Sequence, residues 1–438
     1  MTPAHRALYE SKRLAGAALA VRLDSVESLV SGLITGQARA VLRAIGRRDP
    51  ARPLTLYVGL LVEPYPCLRD PGVRVVSGFF GPIERMARQA GFPVEFLPSD
   101  FHGFERLTYE FRPRAVAAPV SSPDADGFCS FGLHGGAIFG PFLEAARDPA
   151  RLAIAEVNPH VPRVEGLPEF GGHRVHVSEI DVVVEDETPL VTIPYVEPVA
   201  EERAIAGFVG ELVEDGATLQ FGIGGIPNAV AELLCAVSKG DFGVHTEMFV
   251  DGIMRLHEAG KVVNRKGLHD GYSIATFAGG SETLYRWLDR NPVVRMLPVS
   301  AVNDPPELAK MRKFTGINAA LAVDLHGQIV ADVIGGRQYS GIGGHETFTM
   351  GGRQAPGGKS IICLRSTVTV GGERRSTIVA ELPAGSVVTT PRHQVQYVVT
   401  EWGIADLDDR TDRARAAALV AIAHPDFRGE LRRGWREL

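Results

Sequence analysis

Short, nearly continuous apolar runs recur through the first part of the chain, with helical stretches between some of them: LTLYVGLL after Pro53, then VRVVSGFFG, FPVEFLP and AVAAPV. A strand that is apolar at almost every position needs cover on both faces, which is the condition of a parallel sheet flanked by helices. The rhythm predicts an α/β fold with a largely parallel sheet. At 438 residues the chain exceeds one typical core, so two domains are expected.

Composition narrows the class. Hydrophobic residues at 45% and charged residues at 22% describe a soluble globular protein with ample core material. A formal charge of −6 argues against general binding to a phosphate backbone, so nucleic acid is not an expected partner. Cys67, Cys129, Cys235 and Cys363 lie far apart and form no CxxC, so neither a zinc cluster nor a disulfide framework is signalled. The opening MTPAHRALYESKRLAG mixes charges and has no apolar core of signal-peptide length, and no later run is long enough to span a membrane. A cytoplasmic enzyme with no membrane partner is the expectation.

Apolar residues at Val26, Leu29, Val30, Leu33 and Ile34 recur at helical spacing, which predicts a helix over residues 25–48 with Asp24 or Ser25 as its cap. A glycine-rich loop, SSPDADGFCSFGLHGGAIFG, precedes a helix over 142–147 and a strand over 152–157. Periodicity weakens and prolines and acidic residues accumulate between 166 and 197, so the boundary is placed between 185 and 198. This gives an N-terminal domain of 1–190 and a C-terminal domain of 191–438. The second domain restarts with a helix over 201–214, a strand ATLQFGI, a glycine turn and a helix from about Asn228. Further strands are expected at ALAVDL, KSIICL, TIVAEL, SVVTT and VQYVVT, then a helix over 412–423 and an amphipathic helix at the end. Two α/β halves of similar size are candidates for an ancient duplication.

Three segments carry chemistry. In FGIGGIPN, residues 221–228, a strand runs through Gly222, Gly224 and Gly225 into a helix, so backbone N–H groups are available to a developing negative charge. Position 227 is Pro227, where the dinucleotide fingerprint needs glycine, so a Rossmann site is disfavoured; a tight packing turn is the equal alternative. PGGKS, residues 356–360, fails as a phosphate loop because Arg353 stands where the first glycine belongs and a strand follows. His245 and Glu247 form H-x-E without the companion PCxxC, and HETFT at His345 does not complete HExxH, so no metal is expected. Glu247 lies in DFGVHTEMFVDG among Val244, Met248 and Phe249, where a poorly solvated carboxylate gains reactivity; a solvated strand end is the plain alternative. A carboxylate can attack a carbonyl and form an anhydride, and the glycine turns at 222–225 and 341–344 with the Asn303 amide offer oxyanion donors.

LQFGIGGIPNAV, GVHTEMFVDG, INAALAVDLHGQIVAD, SGIGGHETF, GGKSIICLRST, VTTPRHQVQYVVTEWGIADL and IAHPDFR stand in the order seen in the acetyl-CoA hydrolase/transferase family, which the chain resembles from about Ser122 onward. The resemblance implies two homologous open α/β domains with the active site between them, a homodimer, and no tightly bound cofactor, with coenzyme A as a substrate. It implies a ping-pong reaction between an acyl-CoA and a carboxylic acid, with Glu247 as nucleophile, Asn303 and the Gly344 backbone as oxyanion donors, and Gly222, Gly224 and Gly225 as the active-site glycine loop. Gly341, Gly343, His345, Glu346 and Lys359 fall in the region expected to meet CoA.

The chain departs from the 4-hydroxybutyrate type of transferase at two places. His345, Glu346 and Thr347 stand where glutamine and aspartate are usual, and Ser376, Thr377 and Ile378 stand for an SRI motif. The first hundred residues match poorly as well. These changes keep the glutamate chemistry and leave the acceptor open. A CoA-transferase for short or medium acyl groups is the first reading, an acyl-CoA hydrolase using the same glutamate the second, and a non-catalytic acyl-CoA binding protein the third.

Overall fold

The computed structural model describes residues 1–437. The chain divides into two compact α/β units, one of Met1–Pro194 with Ile274–Val302, the other of Tyr195–Ser273 with the chain from Asn303 onward. The first unit thus takes in a segment from the second half of the sequence.

In the first unit seven strands run in the order Val94–Phe96, Val73–Ser77, Leu54–Gly59, Ser28–Leu33, Ala115–Val120, Leu152–Val157 and Val182–Glu185, every pairing parallel. Alternate residues feed opposite faces. Leu29, Ala115, Ala117 and Ile154 join one apolar cluster, whereas Val30, Val116, Ala118, Ala153 and Ala155 join another. This two-sided burial is why the runs are apolar throughout.

The same physics corrects the helix expected over 25–48. Ser28–Leu33 is the central strand of this sheet, followed by a 3-10 turn at Ile34–Gly36, and the helix is confined to Arg39–Ile45. A strand buried on both faces places apolar residues at positions that also satisfy a helical period, so spacing alone cannot separate the two.

In the second unit six strands run in the order Gly243–Phe249, Thr218–Phe221, Phe314–Ala319, Lys359–Cys363, Tyr397–Thr400 and Gly403–Asp406; only the last pairs antiparallel. Both units wind alike, starting at an interior strand, building outward on one side, then returning to build the other. The reversal in the second unit falls between Thr218–Phe221 and Phe314–Ala319, and in open α/β sheets ligands bind outside the carboxyl ends of strands at such a point.

Two further expectations are corrected. The helix placed from Asn228 begins at Gly225, capped by Gly224 at a φ of +113°, because Pro227 is tolerated in a first turn whose N–H groups lack helical acceptors. SVVTT forms no strand: Val387 and Val388 are exposed between Pro383 and Pro391, and only Thr390 makes a bridge, to Ile329. Among the described residues no helix is long and apolar enough to cross a membrane.

His134 gives the first unit a measurable acid sensitivity. Its ring is 1% exposed, and added Cβ atoms at Gly36 and Gly32 would fall 2.3 and 2.9 Å from its Cδ2. Burial, and secondarily the neighbouring His173, push its pKa down to about 3. The unfolded chain binds a proton at this residue below about pH 6.5 and the folded chain does not, so stability falls as the pH drops from there toward 3. Urea unfolding of His134→Gln at stepped pH should show a stability slope shallower than wild type by about 1.4 kcal/mol per pH unit between roughly pH 6 and 4. An unchanged slope would show that His134 titrates alike in both states.

Candidate active site

Gly243–Phe249 is buried at every position except Glu247, which is partly exposed. The strand's β-branched and aromatic residues suit a pleated, enclosed surface, and Gly243 is required because an added Cβ would fall 2.4 Å from Lys266 Cγ. His245, on the same face as Glu247, is fully buried with its ring 6.5 Å from that of Phe314. Phe314 in turn stacks on Phe348 at 6.0 Å. Phe348 belongs to the helix His345–Gln354, so this aromatic column brings the helix over the face from which Glu247 projects.

Three residues far apart in sequence meet at the carboxylate. Asn303 Nδ2 donates to Glu247 Oε2 at 2.7 Å. A Cβ added to Gly344 would lie 2.4 Å from the same oxygen and 2.8 Å from Asn303 Nδ2, so only glycine allows the backbone this close. Gly344 is the N-cap of His345–Gln354, whose first-turn N–H groups and dipole favour negative charge nearby. Asn303 is fully buried and stands just before Asp304, the N-cap of Pro305–Leu308. The two helices are pressed together at Gly351, where an added Cβ would fall 2.6 Å from Leu308 Cβ. Phe348 and Gly351 therefore set the distance between Asn303 and Gly344, a dependence that no local sequence pattern signals.

The remaining predicted residues divide into two groups. Gly341 is buried and Gly343 takes a φ of +57°, the left-handed backbone that lets the turn deliver Gly344. His345 opens the helix; burial pushes its pKa down to about 4 against the opposing charge of Asp332, so it is neutral at neutral pH. Glu346 Oε2 accepts from Thr390 Oγ1 at 3.0 Å, so this carboxylate braces the turn. Gly222 and Gly224 border open space at the end of the strand beside that of Glu247, where Thr246 Oγ1 donates to Phe221 O at 3.4 Å, and Ile223 between them is 48% exposed. Gly225 packs closely on Glu202 instead.

Lys359 is not brought to this cluster. It opens its strand level with Thr315, Leu219 and Val244, three residues below Glu247 along a parallel sheet. Its Nζ donates to Leu212 O at 2.8 Å and pairs with Glu214, whose carboxyl the lysines at 359 and 313 pull down to about 2. Sequence reading also missed Asp332, Thr389 and Thr390, whose hydroxyl and carboxylate bonds join segments without any periodic signal.

Residues 280–434 match the model of the acetyl-CoA hydrolase/transferase C-terminal domain. The chain is 41% identical over 374 residues to a succinyl-CoA:cyclohexane-1-carboxylate CoA transferase of Geobacter metallireducens, covering 84% of this chain and 81% of that protein. It is 41% identical over 356 residues to a 4-hydroxybutyrate coenzyme A transferase of Clostridium kluyveri, covering 81% and 80%. The crystal structure of RipA from Yersinia pestis superposes with a TM-score of 0.89 at 32% identity over 99% of both chains. With relatives this similar across most of its length, the chain belongs to the CoA-transferases of the acetyl-CoA hydrolase/transferase family.

Proposed function

We propose that the protein transfers CoA from a short- or medium-chain acyl-CoA to a carboxylic acid, with Glu247 as covalent nucleophile. The observation that carries this reading is the 2.7 Å bond from Asn303 Nδ2 to Glu247 Oε2 beside the glycine-only approach of Gly344. In the first step a carboxylate oxygen of Glu247 attacks the thioester carbonyl, the C–S bond breaks, and CoA thiolate leaves an acyl-glutamyl anhydride. The thiolate then attacks the glutamyl carbonyl and expels the donor acid, giving a glutamyl-CoA thioester. An acceptor carboxylate attacks that thioester, and the returning thiolate takes the new acyl group, which regenerates the Glu247 carboxylate. No net proton moves.

Each attack on the glutamyl carbon places negative charge on the oxygen that stays behind. Asn303 Nδ2 and the turn at Gly344 lie beside Oε2, which supports their role as donors to that charge. Transfer is favoured over hydrolysis because the relatives at 41% identity carry transferase names, whereas acetyl-CoA hydrolases such as that of Candida albicans are 26% identical.

Glu247→Gln should lower turnover by on the order of 10⁴-fold or more while leaving CoA-ester binding in place. Wild type incubated with acyl-CoA and then borohydride or hydroxylamine should carry a modification at residue 247, read by peptide mass spectrometry, and Glu247→Gln turning over like wild type would sink the covalent mechanism. Asn303→Ala should reduce kcat by on the order of 10²–10³-fold, more than it raises KM, in steady-state assays. A panel of carboxylic acids separates transfer from hydrolysis: transfer yields new acyl-CoA only when an acceptor is present, whereas free thiol released equally without acid would assign the hydrolase.

A further inference from the structure

The turn that delivers Gly344 is held down on both sides by one dipeptide. Upstream, Asp332 is 3% exposed, and its carboxylate accepts from Thr389 Oγ1 at 2.6 Å and from Gln338 Nε2 at 2.8 Å. The Asp332 carbonyl accepts from the N–H groups of Tyr339 and Ser340 at 2.9 and 3.1 Å, and Gln338 Nε2 also donates to Ser340 O at 2.9 Å. These bonds fix the chain as it enters Gly341–Gly344. Downstream, Glu346 Oε2 accepts from Thr390 Oγ1 at 3.0 Å, two residues past Gly344.

The dipeptide is itself anchored. Ile329 N–H donates to Thr390 O at 3.0 Å, Ile329 O accepts from the N–H groups of Thr389 and Thr390 at 2.8 and 3.2 Å, and Ala331 N–H donates to Thr389 Oγ1 at 2.8 Å. A hydroxyl has one proton to give. Thr389 gives its proton to Asp332 and Thr390 gives its own to Glu346, so the dipeptide contributes one hydroxyl to each side of the turn. The flanking Val387 and Val388 are exposed.

We propose that Thr389 and Thr390 are positioning residues for the transfer reaction, clamping the Gly341–Gly344 turn through Asp332 and Glu346 so that Gly344 stays against the Glu247 carboxylate. This rests on Glu247 as the nucleophile. The clamp accounts for a threonine pair inside a segment that has β-branched residues yet makes no strand. It also assigns Glu346 a bracing function and not a CoA contact, which separates the two in kinetics: loss of a brace lowers kcat, whereas loss of a binding contact raises KM.

The test uses the full-length enzyme with Thr389→Val and Thr390→Val, which keep the side-chain shape and remove the hydroxyl, beside Thr389→Ser and Thr390→Ser, which keep the hydroxyl. The valine variants should lose about tenfold to a hundredfold in kcat, and in the single-turnover rate of Glu247 modification, with KM for acyl-CoA changed less than about threefold. The serine variants should recover most of that loss. Glu346→Met removes the acceptor at a half-buried position, leaves both threonines in place, and should show the same kcat loss even where a valine variant does not fold. Folded valine variants or Glu346→Met that modify Glu247 at the wild-type rate would overturn the clamp, as would a rise in KM alone. Absence of any Glu247 modification in wild type would instead overturn the nucleophile, a separate failure that wild type alone reveals.

Discussion

The hydrogen bond from Asn303 Nδ2 to Glu247 Oε2, made under the backbone of Gly344, is the contact on which the rest of the site depends. A hydrogen bond to an ionised group contributes roughly 1.5–3 kcal/mol, but its larger effect is geometric. It makes the two carboxylate oxygens inequivalent by holding one against a fixed donor. Asn303 is fully buried, so this donor cannot swing away into solvent to follow some other acceptor. The three participants come from separate parts of the chain, and their meeting is a property of how helices are packed on the sheet.

That packing is made at some expense of local helix stability. His345–Gln354 contains Gly351 and Gly352, each about 1 kcal/mol less favourable than alanine in a helix interior. Gly351 lets Leu308 approach, and an added Cβ at Gly352 would fall 2.6 Å from Lys359 O at the start of the neighbouring strand. The helix is therefore wedged between the short Pro305–Leu308 helix on one side and the sheet on the other, with Phe348 stacked over Phe314 beneath it. Removing the glycines would favour the helix in isolation and push Gly344 and Asn303 apart. The conflict between local propensity and global fit is concentrated beside the Glu247 carboxylate, the kind of place where a functional site departs from local rules.

The parallel sheets were legible in the sequence because two-sided burial leaves runs such as LTLYVG and AVAAPV. The same feature hid Ser28–Leu33, whose apolar positions fit a strand and a helix equally. The sequence singles out Glu247 by its apolar setting and offers Asn303 and the 341–344 turn as donors, but that Asn303 and Gly344 lie at this carboxylate follows only from the folded geometry. The fate of Lys359 was not legible: a lysine after a glycine turn resembles an anion binder until the register places it at the opposite end of its strand, beside Glu214. Thr389 and Thr390 lie in a run that reads as a strand, because β-branched residues leave that signature whether or not a partner strand exists. Their bonds to Asp332 and Glu346 span more than forty residues and have no period to detect.

The departure at His345 bears on the electrostatics of the same carboxylate. Transferases of the 4-hydroxybutyrate type, which this chain resembles, usually carry a glutamine in that stretch, and a histidine there would, if protonated, place a cation near the Glu247 carboxylate. A positive imidazolium beside Gly344 would favour the ionised carboxylate and weaken it as a nucleophile. Burial removes that conflict by pushing the imidazole pKa down to about 4, even with Asp332 nearby to oppose the shift. At neutral pH the residue is an uncharged polar group, as glutamine is, so the replacement alters shape and hydrogen-bonding pattern while keeping the local charge. A change of shape without a change of charge leaves the electrostatic surroundings of the Glu247 carboxylate as a neutral amide would leave them.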